Sequence, residues 1–488
     1  MRILLVRPQQ PEETHGLKLI MICEPLELEY VGASVPDHEV LICDLMVDNN
    51  LDACLKEFNP QVVGTSCYIN NISEALDVCR RVKQYDPGIR TVMGGVHAAL
   101  NPKDFQNRYV DFIVHGEGMT TFKELIECLD TGGDLSRVKG IGYGKKAGFC
   151  FTDVRPFPKD VDQFPLPDRK LTQPYRKDYF YLQWRPLTIM RTSWGCPYQC
   201  TFCYNRHLTD DKYFSRSPES VVNEIESIDS KEVFIIDDTF LFNKKRLDTL
   251  YHMIKERNIE KEYLVYGRTD FVVQNKEILR KWEDIGLRML RVGIEAVTNE
   301  ELDQYNKRNS IENNKKAVEI CHELGIDVSA SFILQPHYTK EHFKALNRYI
   351  KELGLVYIFL NPLTPLPATD LYHEYKDRLI VPYETGHALW DFQHCVIRPT
   401  QMSLKSFYRS MNIVYLSVLN PFRVRKIKMR KQPYLLPTSK ETWGLYKNMF
   451  ITMVDTLFAY RQHGIIENKN SHTRIKNKAT EEVGHDLN

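Results

Sequence analysis

At 488 residues the chain has room for two or three domains and a large buried core. Its 65 Lys and Arg against 64 Asp and Glu leave a net charge of +1, which removes global electrostatic support for binding a polyanion, nucleic acid included. With no signal-peptide pattern at its start, no run of about 18 apolar residues, and twelve cysteines of which most (Cys43, Cys67, Cys79, Cys128, Cys321) sit in apolar or helical contexts, it reads as a cytoplasmic protein with reduced thiols.

In chain order, residues 2–6 (RILLV), 39–45 (EVLICDL), 61–68 (QVVGTSCY), 90–96 (RTVMGGV) and 111–118 (DFIVHGEG) read as strands. They are nearly continuous apolar runs, the pattern of parallel strands buried on both faces. Helical runs separate them at 24–34, 51–58, 72–85 and 120–132, the last stopped by Gly132 and Gly133. Together they predict an α/β domain over 1–145 with an open, flavodoxin-like parallel sheet. Ligands of such sheets bind at the carboxyl ends of the strands. That edge carries Ser66 and Tyr68, then Gly94, Gly95, Val96 and His97, then Gly116, Glu117, Gly118 and Thr120. Its glycines let a large flat ligand approach the backbone. A dinucleotide would want G-x-G-x-x-G after the first strand, and RPQQPEETHG (7–16) lacks it.

Residues 146–184 read as a proline-rich linker, with RPFPKDVDQFPLPDR (155–169) strapped in extended form across a surface. From 185 to 380 the alternation restarts, with strands at 186–196, 232–240, 264–271, 289–296, 327–334 and 355–365. Six βα units predict a partial (βα)6 barrel, since eight would close a full one. Chemistry belongs at the strand ends, where the cysteines, Asp237, Asp238, Arg268 and Glu295 lie. Residues 381–464 read as a helical, aromatic C-terminal region, and 465–488 as a polar, disordered tail.

The densest chemical signal is TSWGCPYQCTFCYNRH (192–207), which puts Cys196, Cys200 and Cys203 at spacing C-x3-C-x2-C. A closed zinc site wants four ligands, and His207 stands four residues beyond the last cysteine to complete a Cys3His set. A [4Fe-4S] cluster normally takes four thiolates, so three would leave one iron open to a substrate or cofactor. Gly195 and Pro197 fit a tight loop at a strand end, and Phe202 is placed to shield a cluster or stack on an adenine.

Over residues 185–375 this motif resembles the radical S-adenosylmethionine enzymes. The resemblance implies that Cys196, Cys200 and Cys203 hold a [4Fe-4S] cluster and that S-adenosylmethionine chelates the fourth iron. Asp237 and Asp238 in IIDDTF then sit where the family binds the methionyl amine. Glu295 in RVGIEA sits near the nucleoside or methionyl group, with Phe202 and Arg268 at the same site. SFILQPHYT departs from the usual F-I-x-G-x-P by carrying Gln335 where a glycine is common.

The first domain resembles the cobalamin-binding domains that precede many such enzymes. The D-x-H-x-x-G signature of a cobalt-ligating histidine is absent, as in much of the radical subgroup. For His97 this leaves either cobalt ligation or a hydrogen-bonding role. Both resemblances together imply methyl transfer from methylcobalamin to an unactivated carbon, with electrons from a flavodoxin or ferredoxin. Residues 19–45 and WDFQHCVIRPT (390–400) resemble the hopanoid C-3 methylases, which implies a hydrophobic, lipid-like substrate. The basic stretch within 410–436 is compatible with peripheral contact at the inner face of a membrane. Two alternatives stay open: a radical enzyme catalysing cyclisation or rearrangement without methyl transfer, and a non-catalytic zinc or iron–sulfur protein.

Overall fold

The structure is a computed structural model. It describes residues 1–14, 17–145 and 148–418, and isolated positions beyond. Five parallel strands build the first sheet: β1 (Arg2–Arg7), β2 (Glu39–Asp44), β3 (Val62–Ser66), β4 (Arg90–Gly94) and β5 (Phe112–Val114). They lie in the order β2-β1-β3-β4-β5, the expected flavodoxin-like topology. Helices at Leu51–Phe58 and Ile72–Tyr85 match the apolar periodicity residue for residue. The sheet does not end at residue 145. An antiparallel hairpin, β6 (Ile141–Lys145) and β7 (Gly148–Phe151), adds two strands beside β5, so the sheet is mixed and the start of the expected linker is an edge strand.

The second sheet is a half-barrel of six parallel strands in sequential order: β8 (Leu187–Met190), β9 (Glu232–Ile235), β10 (Glu262–Gly267), β11 (Leu287–Glu295), β12 (Asp327–Leu334) and β13 (Tyr357–Pro362). Its first crossover helix, Pro218–Ser227, starts with Pro218 behind Ser217, whose hydroxyl accepts from Ser220 N. That pairing pre-sets the helical φ and satisfies an orphan amide. The helices pack a continuous apolar layer against the strands, with Trp282 and Phe240 fully buried edge to face at 4.9 Å.

Between the sheets the strap is built around charge. A 3-10 run, Arg169–Asp178, presents Arg169 to Glu24 (2.7 Å) and Glu224 (2.6 Å), while Arg176 also binds Glu24. Glu24 further accepts from Ile189 N at 2.7 Å on β8. One buried carboxylate therefore joins the first domain, the strap and the first barrel strand. Burial pushes the pKa of neighbouring Glu29 up, with Glu24 adding to the rise.

The C-terminal region is not helical from 381. Residues 381–403 are irregular apart from a 3-10 turn at His387–Leu389, and an isolated antiparallel bridge joins Leu379 and Ile397. Helix Leu404–Val418 follows and packs on helix Lys340–Glu352 through Phe407 and Phe343 (5.1 Å). Among the described residues no helix is long and apolar enough to cross a membrane. The basic stretch and the expected disordered tail lie almost wholly outside the described residues.

Candidate cofactor site between two sheet edges

The cysteine loop leaves β8 through a short strand, Ser193–Trp194, paired antiparallel with Phe214–Ser215. Gly195 then turns at φ +81°, where a Cβ would collide with Lys212 O and Thr209 Oγ1. Only glycine fits there. The loop is tied to the barrel by Thr201 N to Tyr305 O (3.1 Å) and Asn306 Nδ2 to Gln199 O (2.8 Å). Burial pushes the Cys196 thiol up to about 11 and Cys203 up to about 12. Such thiols ionise at neutral pH when a metal displaces their protons. Among the described residues no group of three or more His, Cys, Asp or Glu is placed to hold a single ion. Three thiols on one loop suit the corners of a multi-iron cluster.

Asp237 and Asp238 follow β9 and divide two tasks. Asp237 is fully buried and accepts from Thr192 N, Thr192 Oγ1 and Ser193 Oγ, each at 2.6 Å. Its carboxylate is spent on the root of the cysteine loop, against the expectation that it reaches a methionyl amine. Asp238 accepts from Gly195 N (2.9 Å), Asn205 Nδ2 (2.9 Å) and Arg191 (3.2 Å), and so bridges both ends of that loop.

Glu295 ends β11 at a bulge with φ +64°. Its Oε1 lies 2.8 Å from Lys307 Nζ. Gly293 makes room for this, since a Cβ there would strike that same oxygen. Burial is the largest influence and opposes the Lys307 charge, but the Glu295 carboxylate, neighbouring Cys200 and the hydrogen bond to Glu295 together raise the ammonium pKa. Lys307 Nζ also sits 5.7 Å from the Phe202 ring, which packs on Tyr305 at 5.4 Å. Arg268 is taken by Asp270 (3.0 Å) and Lys307 O (2.7 Å) and lies 3.8 Å over the Tyr198 ring. Gln335 is buried and donates to Tyr305 Oη. Arg268, over Tyr198, and the Glu295–Lys307 pair, beside Phe202, thus pack against the cysteine loop, and Lys307 links the two through its carbonyl and its ammonium.

In the first domain Gly95 turns at φ +95°, where a Cβ would meet Cys67 and Ser66. At Gly94 and Gly118 a Cβ would meet its neighbours only at ordinary van der Waals distance, and Gly116 turns at φ +76°. Val96 opens helix Val96–Leu100. Glu117 caps helix Gly118–Thr131, accepting from Met119 N (2.6 Å) and Thr120 N (3.1 Å), so its carboxylate is occupied. Burial raises its pKa. Thr120 does not line the cavity at this edge. His97 bonds Asp104 (2.8 Å) and Tyr383 Oη (2.7 Å), which fits the hydrogen-bonding role rather than cobalt ligation.

These two edges face each other across a cavity of about 620 Å³. Ser66, Gly94, Gly95, Val96 and Gly116 line it from one side, and Arg191, Gly195 and Asp238 from the other. Thr65 Oγ1, on the same wall, is buried without a hydrogen-bond partner among the described residues. An orphaned hydroxyl beside a glycine cradle fits a large ligand carrying polar groups, as a corrin ring and its amides do. Sequence reading missed Glu27, Thr65, Arg191 and Tyr204, which line this cavity. Glu27, Thr65 and Arg191 stand outside any spaced motif, although Arg191 directly follows a strand end, and Tyr204 directly follows the last cysteine.

Residues 190–350 match the Radical SAM superfamily and residues 16–126 the B12 binding domain. The hopanoid C-3 methylase of Methylococcus capsulatus is 30% identical over 84% of this chain and 78% of its own length. The uncharacterized methyltransferase PH0819 of Pyrococcus horikoshii is 27% identical over 76% of this chain and 82% of its own. The radical S-adenosylmethionine methyltransferase TsrM of Kitasatospora setae shares the fold, with a TM-score of 0.67 over 97% of this chain and 99% of that one at 16% identity. A two-domain cobalamin and radical enzyme is therefore the class that fold, site and similarity define. The chain belongs to the cobalamin-dependent radical S-adenosylmethionine methyltransferase family. Its cofactors are a [4Fe-4S] cluster, S-adenosylmethionine and cobalamin. The reading as a non-catalytic zinc or iron–sulfur protein is overturned.

Proposed function

We propose that the chain methylates an unactivated carbon of a hydrophobic, lipid-like substrate. The observation that carries this reading is the shared cavity, in which the glycine edge of the first sheet faces the cysteine loop of the second. When bound, the cluster and S-adenosylmethionine supply a hydrogen-abstracting radical and cobalamin supplies the methyl group.

Cys196, Cys200 and Cys203 are the ligands proposed for three irons. Asp238 and Gly195 fix the loop that carries them, and Asp237 fixes its root. The Glu295–Lys307 pair keeps a carboxylate beside the loop with its charge balanced. Ser66, Tyr68, Gly94 and Gly95 form the bed for the corrin, and Phe202 shields the cluster side. Gly116 and Gly118 leave backbone room at the next strand end, with Glu117 and Thr120 holding the helix start there.

Similarity to the hopanoid C-3 methylase supports the substrate class. Ile413 and Leu416, three residues apart on the C-terminal helix, are 52% and 53% exposed, which supports peripheral contact with lipid. A flavodoxin or ferredoxin supplies the electrons. The test is to incubate the anaerobically loaded enzyme with methyl-labelled S-adenosylmethionine, reductant and a bacterial lipid extract. Label recovered in a neutral lipid supports the proposal. Label confined to water-soluble products, or deoxyadenosine formed with no methyl transfer at all, overturns it, the latter in favour of cyclisation or rearrangement.

A further inference from the structure

A second chamber of about 370 Å³ adjoins the cofactor cavity and shares Glu27, Ser66, Tyr68 and Tyr204 with it. Its far wall comes from the C-terminal region, where Trp390, Asp391 and Phe392 close it. That segment is WDFQHC, whose residues have so far been given no structural task. Phe392 holds φ +63°, a conformation that strains a bulky residue and persists only where its surroundings impose it. Those surroundings are visible. The buried carboxylate of Asp391 accepts from Gln393 N (2.9 Å), His394 N (3.0 Å) and His394 Nδ1 (3.0 Å). Gln393 reaches Asn361 at the end of β13 at 3.4 Å. The loop is thereby fixed to the barrel with the Phe392 side chain left 40% exposed, on a chain that buries most of its large apolar residues.

The charged groups on the chamber walls already have partners. Arg7 is held by Asp44 at 2.7 Å, Glu24 by Arg169 and Arg176, and Asp391 by its own loop. Glu27 accepts from Ser66 Oγ at 3.3 Å, and burial pushes its pKa up toward the neutral form. Among the described residues Arg7 and His97 on these walls are taken by Asp44 and Asp104, so an anionic substrate would find no free counter-cation here. Met21, Met46, Leu100 and Leu366 supply apolar surface, and Trp390 Nε1 is a buried donor without a partner among the described residues.

Resting on the methylation reading above, we infer that this chamber is the substrate site. Phe392 determines its specificity, and it accepts an uncharged apolar molecule carrying a neutral oxygen acceptor such as a hydroxyl. The test uses the full-length, cofactor-loaded protein and two photoreactive probes of similar bulk: a diazirine-bearing triterpene alcohol and its carboxylate analogue. The alcohol is expected to crosslink to Met21, Met46 or residues 390–392, and the carboxylate to crosslink there at least tenfold less. Phe392→Gly keeps the left-handed backbone without strain and removes the ring. It should melt no lower than the parent and keep its iron and cobalt content, while crosslinking of the alcohol falls at least fivefold. Crosslinks elsewhere, no crosslinks, or equal labelling by the two probes overturn the inference, as does full labelling of the glycine variant. A chain that labels here yet transfers no methyl group would sink the functional reading and leave the chamber standing.

Discussion

Lys307 Nζ meets Glu295 Oε1 at 2.8 Å, and both side chains are about nine-tenths buried. Glu295 adopts a left-handed backbone to make this contact, over a glycine two residues earlier that leaves it room. The G-I-E segment is therefore a conformational unit: Gly293 supplies space, and Glu295 supplies a charge that Lys307 balances.

Lys307→Met leaves the Glu295 carboxylate buried and unpaired. Breaking such a pair costs about 3–5 kcal/mol. Urea unfolding of the variant should show that loss, and Lys307→Arg should recover part of it. An unchanged midpoint for the Met variant would mean that the pair is not formed in solution.

Gly195→Ala should cripple iron loading more than folding. The turn at φ +81° strains any other residue, and the added methyl meets Lys212 O and Thr209 Oγ1. Iron analysis after anaerobic reconstitution is expected to fall several-fold while far-ultraviolet dichroism stays native. Full iron occupancy in this variant would refute the loop geometry.

Glu24→Gln tests the strap. Its carboxylate balances Arg169 and Arg176, so the amide leaves two guanidiniums short of a counter-charge. A loss of about 3 kcal/mol is expected. Limited proteolysis should also cut sooner within 155–169, and equal cleavage of variant and parent would count against the strap.

Stability should also depend on pH through His387. Burial, followed by the neighbouring His97, lowers its pKa to about 4, with Asp104 opposing. The folded state thus prefers neutral imidazole. This contribution is complete above the unfolded pKa of about 6.5 and is lost as pH falls toward 4, by at most about 3 kcal/mol. His387→Phe should flatten the stability profile between pH 7 and 4.5 relative to the parent. Parallel profiles would rule out the assignment.

Local pattern carried much of the fold and the first ligands of the site. Residues 72–85 repeat their apolar positions at helical spacing, and β1 through β5 are apolar runs bounded by turns, so sequence neighbours suffice to find them. The cysteine loop is legible for the same reason. The hairpin 141–151 is short and glycine-rich, and its pairing with β5 depends on a partner far along the chain. Asp237 and Asp238 are adjacent in sequence yet point to different partners, which spacing alone does not separate. His97 finds Tyr383 across 286 positions and Arg176 finds Glu24 across 152. Such pairs exist only once the domains have docked, and no periodicity encodes them.

In the proposed reaction one chain brings a methyl-carrying corrinoid to a radical-generating cluster. The most direct measurement is anaerobic incubation of the loaded enzyme with methyl-13C S-adenosylmethionine and reductant, without substrate, followed by mass analysis of the corrinoid and quantification of metals. The account predicts iron and cobalt in the protein, deoxyadenosine in solution and a 13C methyl group on the corrinoid. Zinc in place of iron, or deoxyadenosine formed beside an unlabelled corrinoid, would contradict it.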